Sequence, residues 1–119
     1  MFNNVKIGNT TVPMLSMASV DIYYRNVFHE DPLTVQTQAK GAADAIVFYE
    51  RMGFIMAAFA ERKTREKMRE LREDDFLDWM DQFDRLDLMN ALAEIQATYD
   101  GQSVTNADAK KNNDEPNAE

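Results

Sequence analysis

Hydrophobic side chains between residues 20 and 99 recur at intervals of three and four positions, which predicts helices rather than strands. The first such stripe follows Ser16 and Ser19, either of which can cap a helix. Its apolar positions are Val20, Tyr23, Tyr24, Val27 and Phe28. Asp21 in the first turn and His29 near the end both suit the helix dipole, so we expect one amphipathic helix here.

A strand-like pattern precedes this helix. β-branched residues lie on both sides of Gly8-Asn9, and this is the turn chemistry of a two-residue hairpin. Residues 5–13 therefore predict two short strands. Pro13 belongs on an edge, because proline has no N–H to donate to a ladder. A hairpin alone is marginally stable, so we expect it to lie against helices.

The most apolar stretch of the chain is Ala42–Ala60. Seven of its residues cover more than half of the helix circumference: Ala45, Phe48, Tyr49, Met52, Ile55, Met56 and Phe59. So broad a stripe predicts the central helix of the domain. Gly53 within it costs about 1 kcal/mol relative to Ala, which predicts close approach of another element. Phe54 falls off the main stripe, on the side that carries Arg51.

Two short segments flank this central helix. Asp31-Pro32 ends the preceding helix and can cap a short one over Leu33–Gln38. Residues 61–72 are good helix formers with opposite charges at i, i+4, but they carry few apolar side chains. The sequence leaves two alternatives for this second segment, a helical extension or a hinge.

Two further helices are predicted in the C-terminal part. Glu73–Asp75 begins the first with acidic groups at the positive end of the dipole. Asp84 and Asp87 form a capping pattern for the second, which Asp100-Gly101 ends. Their apolar faces are Phe76, Leu77, Met80 and Phe83, and Leu88, Ala91, Leu92, Ile95 and Tyr99.

These elements predict a mainly α fold (α+β), with one helical domain over residues 1–100 that begins with the hairpin. A chain of 119 residues has room for one such core. Residues 101–119 are polar, and we expect a disordered tail.

Charge is distributed unevenly along the chain. The formal net charge is -8, and residues 73–100 hold nine acidic groups and one basic group, directly after the basic segment 61–72. Such acidity disfavours nucleic acid and anionic membranes as partners. Met1–Lys6 lacks the basic and apolar regions of a signal peptide, and no apolar stretch is long enough to span a membrane. We therefore expect a soluble cytoplasmic protein.

Candidate chemistry is sparse. The chain has no cysteine and one histidine, His29, with no nucleophile motif near it, so we predict no catalytic residues. Acidic residues between Asp74 and Asp87 are spaced at the helical interval and lack the glycine of a calcium loop, so we predict no metal site. No motif indicates a cofactor, and an enzyme is the least favoured class.

Methionine and aromatic side chains are abundant instead, with 8 Met, 7 Phe and 1 Trp. Most of them are expected to fill the core, but Met-rich surfaces also repack around varied apolar partners. We therefore predict a binding module. Its candidate partner-binding residues are Tyr23, Tyr24, Phe28, Met52, Phe54, Met56, Trp79 and Phe83. Phe54 and Trp79 are favoured because they fall off the main stripes.

Three stretches resemble phage tail assembly chaperones. Residues 21–33 read DIYYRNVFHEDPL. This is similar to a stretch of that family in which a tyrosine, a basic residue and a phenylalanine precede Asp-Pro-Leu. Residues 52–61 read MGFIMAAFAE, similar to its central helix. Residues 75–88 read DFLDWMDQFDRLDL, similar to its Phe-Leu-x-Trp-Leu-x-x-Phe helix and the turn into a final helix. The basic run 62–72 departs from the family pattern.

The resemblance implies a non-catalytic protein of long-tailed phages or prophages, made in the host cytoplasm. Such a protein binds the tape measure protein, keeps it soluble and helps recruit tail tube subunits around it. Tail tube protein is thus a second implied partner, and relatives in the family can self-assemble into homo-oligomers. The alternative is a small acidic phage-encoded inhibitor that binds a basic host protein through the acidic helices at Glu73–Asp87.

Overall fold

The chain begins with an antiparallel hairpin, as the sequence predicts. Strand β1 (Phe2–Ile7) pairs with β2 (Thr10–Leu15) across a two-residue turn. Gly8 lies in the left-handed region at φ +64°, while the φ angle of Asn9 is not positive. Glycine in the first turn position is typical of a type II′ turn, whose twist matches that of the strands.

One face of the hairpin is part of the core. Side chains alternate along each strand, so cross-strand partners share a face. The inward residues Val5, Ile7, Val12 and Met14 are buried. The outward residues Asn4, Lys6, Thr11 and Pro13 are exposed. The hairpin therefore has a single apolar face, which the helices cover.

Helices form the rest of the described chain. The computed structural model describes residues 1–38, 40–62 and 64–101, and the predicted tail at 102–119 lies outside this part. The helices are α1 (Val20–Phe28), α2 (Pro32–Gln38), α3 (Ala42–Arg62), α4 (Arg65–Arg69), α5 (Glu73–Met80) and α6 (Arg85–Tyr99). The fold is mainly α with a hairpin (α+β), as predicted.

Helix α3 lies at the centre, and its segment Met52–Ala58 is buried throughout. A Cβ on Gly53 would lie 3.1 Å from Cδ1 of Ile95 on α6. This distance is shorter than ordinary van der Waals contact, so the glycine lets the two helices come close. The close approach predicted at Gly53 is confirmed.

Hydrogen bonds connect the end of α6 to the first 21 residues of the chain. The Tyr99 hydroxyl donates to Oδ1 of Asp21 at 2.7 Å, and Oγ of Ser16 donates to the Tyr99 carbonyl at 3.2 Å. Nδ2 of Asn3 donates to Oγ1 of Thr98 at 3.0 Å. Thr98 is fully buried, and its hydroxyl in turn donates within α6, so both its donor and its acceptor roles are used.

The predicted aspartate caps are present. Oδ1 of Asp31 accepts from the N–H of Leu33 at 3.2 Å at the start of α2. Oδ1 of Asp84 accepts from the N–H of Leu86 at 2.9 Å at the start of α6. Ser19 occupies the N-cap position of α1, but its side chain makes no capping hydrogen bond. The position of this helix start was predicted correctly, but the capping contact was not.

Two details of the C-terminal helices differ from prediction. Asp87 was expected to complete the cap with Asp84, but it lies against the hairpin turn, where a Cβ on Gly8 would be 2.5 Å from its Oδ2. Leu77 was expected on the buried face of α5, yet it is 54% exposed. The short helix directs Phe76 into the core, and the next position then points outward.

The segment 61–72 contains a short helix of its own. Oγ1 of Thr64 accepts from the N–H of Lys67 at 3.3 Å and caps α4. Met68 and Leu71 are 1% and 7% exposed, so two apolar anchors hold this otherwise solvated segment on the domain. Of the two alternatives, a continuous helical extension is wrong, because α3 ends before this cap.

Candidate partner-binding groove

Most of the candidate partner-binding side chains lie in the core. Six are between 0% and 7% exposed: Tyr23, Tyr24, Phe28, Met52, Phe54 and Met56. Trp79 and Phe83 are half-buried. A side chain must reach the surface to touch a partner, so Trp79 and Phe83 are the two members of the set that the folded chain presents directly.

The prediction that Phe54 falls off the buried stripe is wrong. Its ring is 4% exposed, and its centroid lies 5.7 Å from that of Phe76 and 6.0 Å from that of Trp79. Both neighbours belong to α5, which covers this side of α3. The local pattern of α3 cannot reveal such coverage, because the covering helix is distant in sequence.

An open groove of about 550 Å³ lies where β2, α3 and α5 meet. One wall is the segment Thr10–Pro13 of β2. A second wall consists of residues within the last part of α3, from Phe54 to Arg62. The third consists of residues from Asp75 to Phe83, in α5 and the turn that follows it. The two half-buried aromatic candidates, Trp79 and Phe83, therefore line one concave surface.

The base of the groove is apolar. Phe54, Ala57 and Ala58 of α3 form it, and each is less than a tenth exposed. Above them the rings of Trp79 and Phe83 pack edge to face, with centroids 5.1 Å apart and planes at 73°. This series of aromatic contacts runs from the core to the surface, so an apolar side chain seated here would bury the half-exposed rings.

The rim of the groove is acidic. Four charged residues line it: Glu61, Arg62, Asp75 and Asp78. The guanidinium of Arg62 is engaged elsewhere, since its Nη1 donates to the Lys67 carbonyl at 2.9 Å. Oδ2 of Asp75 accepts from the backbone N–H of Arg72 at 2.9 Å. In the described part of the chain, Glu61 and Asp78 are exposed and make no hydrogen bond or ion pair.

Strand β2, whose residues Thr10–Pro13 line the groove, also has an outer edge. Ile7 and Thr10 flank the two-residue turn, so they form a hydrogen-bonded pair and the ladder alternates from there. Thr11 and Pro13 occupy the non-bonded positions, where N–H and C=O groups point away from β1. Within the described residues the sheet has two strands, so this edge has no partner strand.

A separate polar cluster links α3 to the loop after α1. Nη1 of Arg51 donates to Oε1 of Glu30 at 2.8 Å, and the Tyr24 hydroxyl donates to the same oxygen at 3.1 Å. The guanidinium lies 4.9 Å from the ring centroid of Phe28. Burial raises the pKa of Tyr24 to about 12. The cluster connects α3 to the loop after α1, and only the charge of Arg51 could have indicated it from the sequence.

The single histidine, His29, lies at the end of α1. His29 is exposed at the C-cap of α1, where it adopts φ +58° and its N–H donates to the Arg25 carbonyl at 2.8 Å. In residues 1–38, 40–62 and 64–101, no group of three potential metal-ligating side chains comes together. No helix in these ranges is both long and apolar enough to cross a bilayer.

Comparisons of the chain with protein-family models, curated proteins and solved structures find no significant match. The candidate site therefore rests on its own geometry: an apolar base, two half-buried aromatic rings and an acidic rim. This arrangement suits recognition of a protein segment, because ring burial provides affinity and fixed charges select the partner.

Proposed function

We propose that this protein is a tail assembly chaperone of a long-tailed phage or prophage and acts in the host cytoplasm. It binds the tape measure protein, keeps it soluble, helps recruit tail tube subunits, and catalyses no reaction. The observation that carries this proposal is the groove, where Trp79 and Phe83 stand half-buried over an apolar base. A chaperone that holds apolar segments of a client needs such a surface.

Two of the three stretches that resemble the chaperone family line this groove. Residues 52–61 supply most of the α3 wall, and residues 75–88 supply the α5 wall. Residues 21–33 form most of α1, the loop after it and the start of α2, and the Phe28 ring contacts Phe54 and Phe76. The motifs that carry the resemblance are thus those that shape the apolar base and its support.

The charge of the protein suits a solubilising role. The formal net charge is -8, and seven of the nine acidic side chains in residues 73–100 are exposed. A strongly charged surface opposes aggregation of the complex, while the groove covers an apolar segment of the client. One molecule thereby combines binding and solubilisation.

Co-expression with the tape measure protein of the same phage or prophage genome tests the proposal. We expect the tape measure protein to move from the pellet to the supernatant and to co-purify with this chain. Trp79→Ala should weaken this effect, whereas Leu33→Ala, at a position 67% exposed and outside the groove, should leave it unchanged. If the parent chain neither solubilises nor binds the tape measure protein, the proposal is wrong.

The exposed acidic side chains support a second candidate, an inhibitor that binds a basic host protein. Asp74, Asp78, Asp81, Asp84 and Asp87 are all exposed along α5, the following turn and α6. A complex held by these charges should dissociate in about 0.5 M salt, where screening shortens the reach of surface charges. A complex held mainly by the apolar groove should survive at the same ionic strength.

A further inference from the structure

We propose that the groove holds a single amphipathic helix of the partner, which carries Lys or Arg beside its apolar stripe. The identity of the partner rests on the proposed function, but the mode of binding rests on the groove alone. Apolar side chains of this helix cover Trp79 and Phe83. Its basic side chains face the free carboxylates of Glu61 and Asp78 at the rim.

The rim charges determine the chemistry of the partner. Asp75, Asp78, Trp79 and Gln82 all line the groove. The spacing of Asp75, Asp78 and Trp79 places them on one face of α5, which therefore presents carboxylates directly beside the indole, and Gln82 lies in the turn after this helix. Arg62, the one cation that lines the groove in the described part of the chain, already bonds the Lys67 carbonyl. An apolar anchor flanked by basic side chains is thus favoured, and one flanked by acidic side chains is repelled.

The edge of β2 favours a helix over an added strand. A strand laid against this edge would bond to the outward groups of Thr11, Pro13 and Leu15, which alternate along β2. The middle residue of the three is proline, which has no N–H, so the added ladder would lose a bond at its centre. Proline at such a position protects an edge against pairing. The occupant is therefore held through its side chains.

The size of the groove sets the length of the bound helix. The wall of β2 from Thr10 to Pro13 spans about 13 Å at about 3.3 Å per residue. Helix α5 has eight residues and spans about 12 Å at about 1.5 Å per residue. A partner helix contacts walls of this length over about two turns, which present two apolar anchors at i and i+3 or i+4.

Trp79 is the only tryptophan in the chain, so its fluorescence reports on the groove. The test titrates the full chain with overlapping 20-residue peptides of the tape measure protein. We expect peptides with an apolar stripe and adjacent Lys or Arg to shift the Trp79 emission and to gain helical circular dichroism on binding. A proline placed in the middle of such a peptide should abolish both signals, because it breaks the helix.

Charge reversal locates the rim contact. Asp78→Lys should weaken binding on the order of five-fold, whereas Asp81→Lys, an equal charge change at an exposed site that does not line the groove, should change it by less than about two-fold. Equal effects of the two variants overturn the proposed rim contact. Binding without gain of helix overturns the helical mode, and an emission shift that depends on the concentration of this chain alone indicates a second copy as occupant instead.

The outcomes separate this inference from the proposed function. If the full-length tape measure protein binds but the Trp79 emission stays constant and Asp78→Lys binds normally, the groove is the wrong surface and the chaperone function stands. If the parent chain binds neither the protein nor any of its peptides, the proposed function fails as well.

Discussion

Helix α3 is covered on one side by α6 and on another by α5, and these two sides differ in what they leave accessible. On the α6 side, Gly53 lets Ile95 approach closely, and Ile95 is fully buried. On the α5 side, Phe54 is buried, but Trp79 above it remains half-exposed. The interface between α3 and α6 is closed, whereas the interface between α3 and α5 continues into the groove.

The difference follows from the length of the covering element. Helix α6 has 15 residues, about four turns, whereas α5 has eight residues, about two turns. Helix α5 ends at Met80, one residue after Trp79, so no further turn of it covers that side chain. The partly covered side is therefore the one where apolar surface remains for a partner.

The largest expected effect compares two aromatic residues on the open side. Phe54→Ala should lower the free energy of unfolding by about 4 kcal/mol, because it removes a buried ring and leaves a cavity. Trp79→Ala should lower it by about 1 to 2 kcal/mol, since part of that ring already contacts water. Urea unfolding followed by far-UV circular dichroism measures both. Equal losses would mean that the two residues do not differ in burial.

This contrast also decides which variant can report on binding. Trp79→Ala should retain the fold and lose affinity for the partner, so its effect can be assigned to the groove. Phe54→Ala removes part of the core, and any loss of binding in that variant has a structural explanation. Binding by a folded Trp79→Ala protein at parental affinity would contradict the role of the open side.

On the closed side, Ile95→Ala should lower the free energy of unfolding by about 3 kcal/mol, because the fully buried side chain packs against Gly53 of α3. Leu86→Ala, in the same helix but 67% exposed, should change it by less than about 0.5 kcal/mol. Partner binding should be retained by Ile95→Ala at temperatures where the variant is folded. A loss of partner binding by folded Ile95→Ala would mean that the binding site extends to the α6 side of α3.

The smallest expected effect concerns alkaline pH and the polar cluster at Tyr24. The pKa of this phenol is raised from 10.0 to about 12, chiefly by burial, so the folded state keeps a proton that the unfolded state loses. Stability should therefore be intact below about pH 10 and decline as the pH rises towards about 12. Tyr24→Phe does not titrate and should show a shallower decline between about pH 10 and about pH 12 in urea unfolding. If the stability of Tyr24→Phe falls with pH as steeply as that of the parent chain, Tyr24 does not contribute to this pH dependence.

Local chemistry predicts much of the fold. The turn at Gly8-Asn9, the caps at Asp31 and Asp84 and the close approach at Gly53 each depend on residues near in sequence or on the absence of a side chain. Such features can be recognised without knowing which elements pack together. The helix bounds therefore follow the sequence pattern, whereas the strands extend beyond the predicted residues 5–13, to Phe2 and Leu15.

The candidate site was predicted less well, because it depends on packing between distant elements. Phe54 lies on the less regular side of its helix, and only the position of α5 makes it a core residue. Thr98 is polar but fully buried, because Asn3 and the Glu94 carbonyl bond its hydroxyl. The candidate set includes Trp79 and Phe83, which do line the groove. The groove also needs β2 as a wall, and the helical pattern of the sequence does not show where β2 packs.

The hydrogen bonds at the end of α6 also affect how the protein is made. Asn3 bonds Thr98 and Asp21 bonds Tyr99, across separations of 95 and 78 residues. Translation proceeds at about 5 to 20 residues per second, so the hairpin waits on the order of 5 to 20 s for the helix that covers it. Helix α3 emerges earlier and can cover β2, but the part of the apolar face that α6 covers stays open on the ribosome during that interval. The newly made chain is therefore more prone to aggregation before α6 emerges.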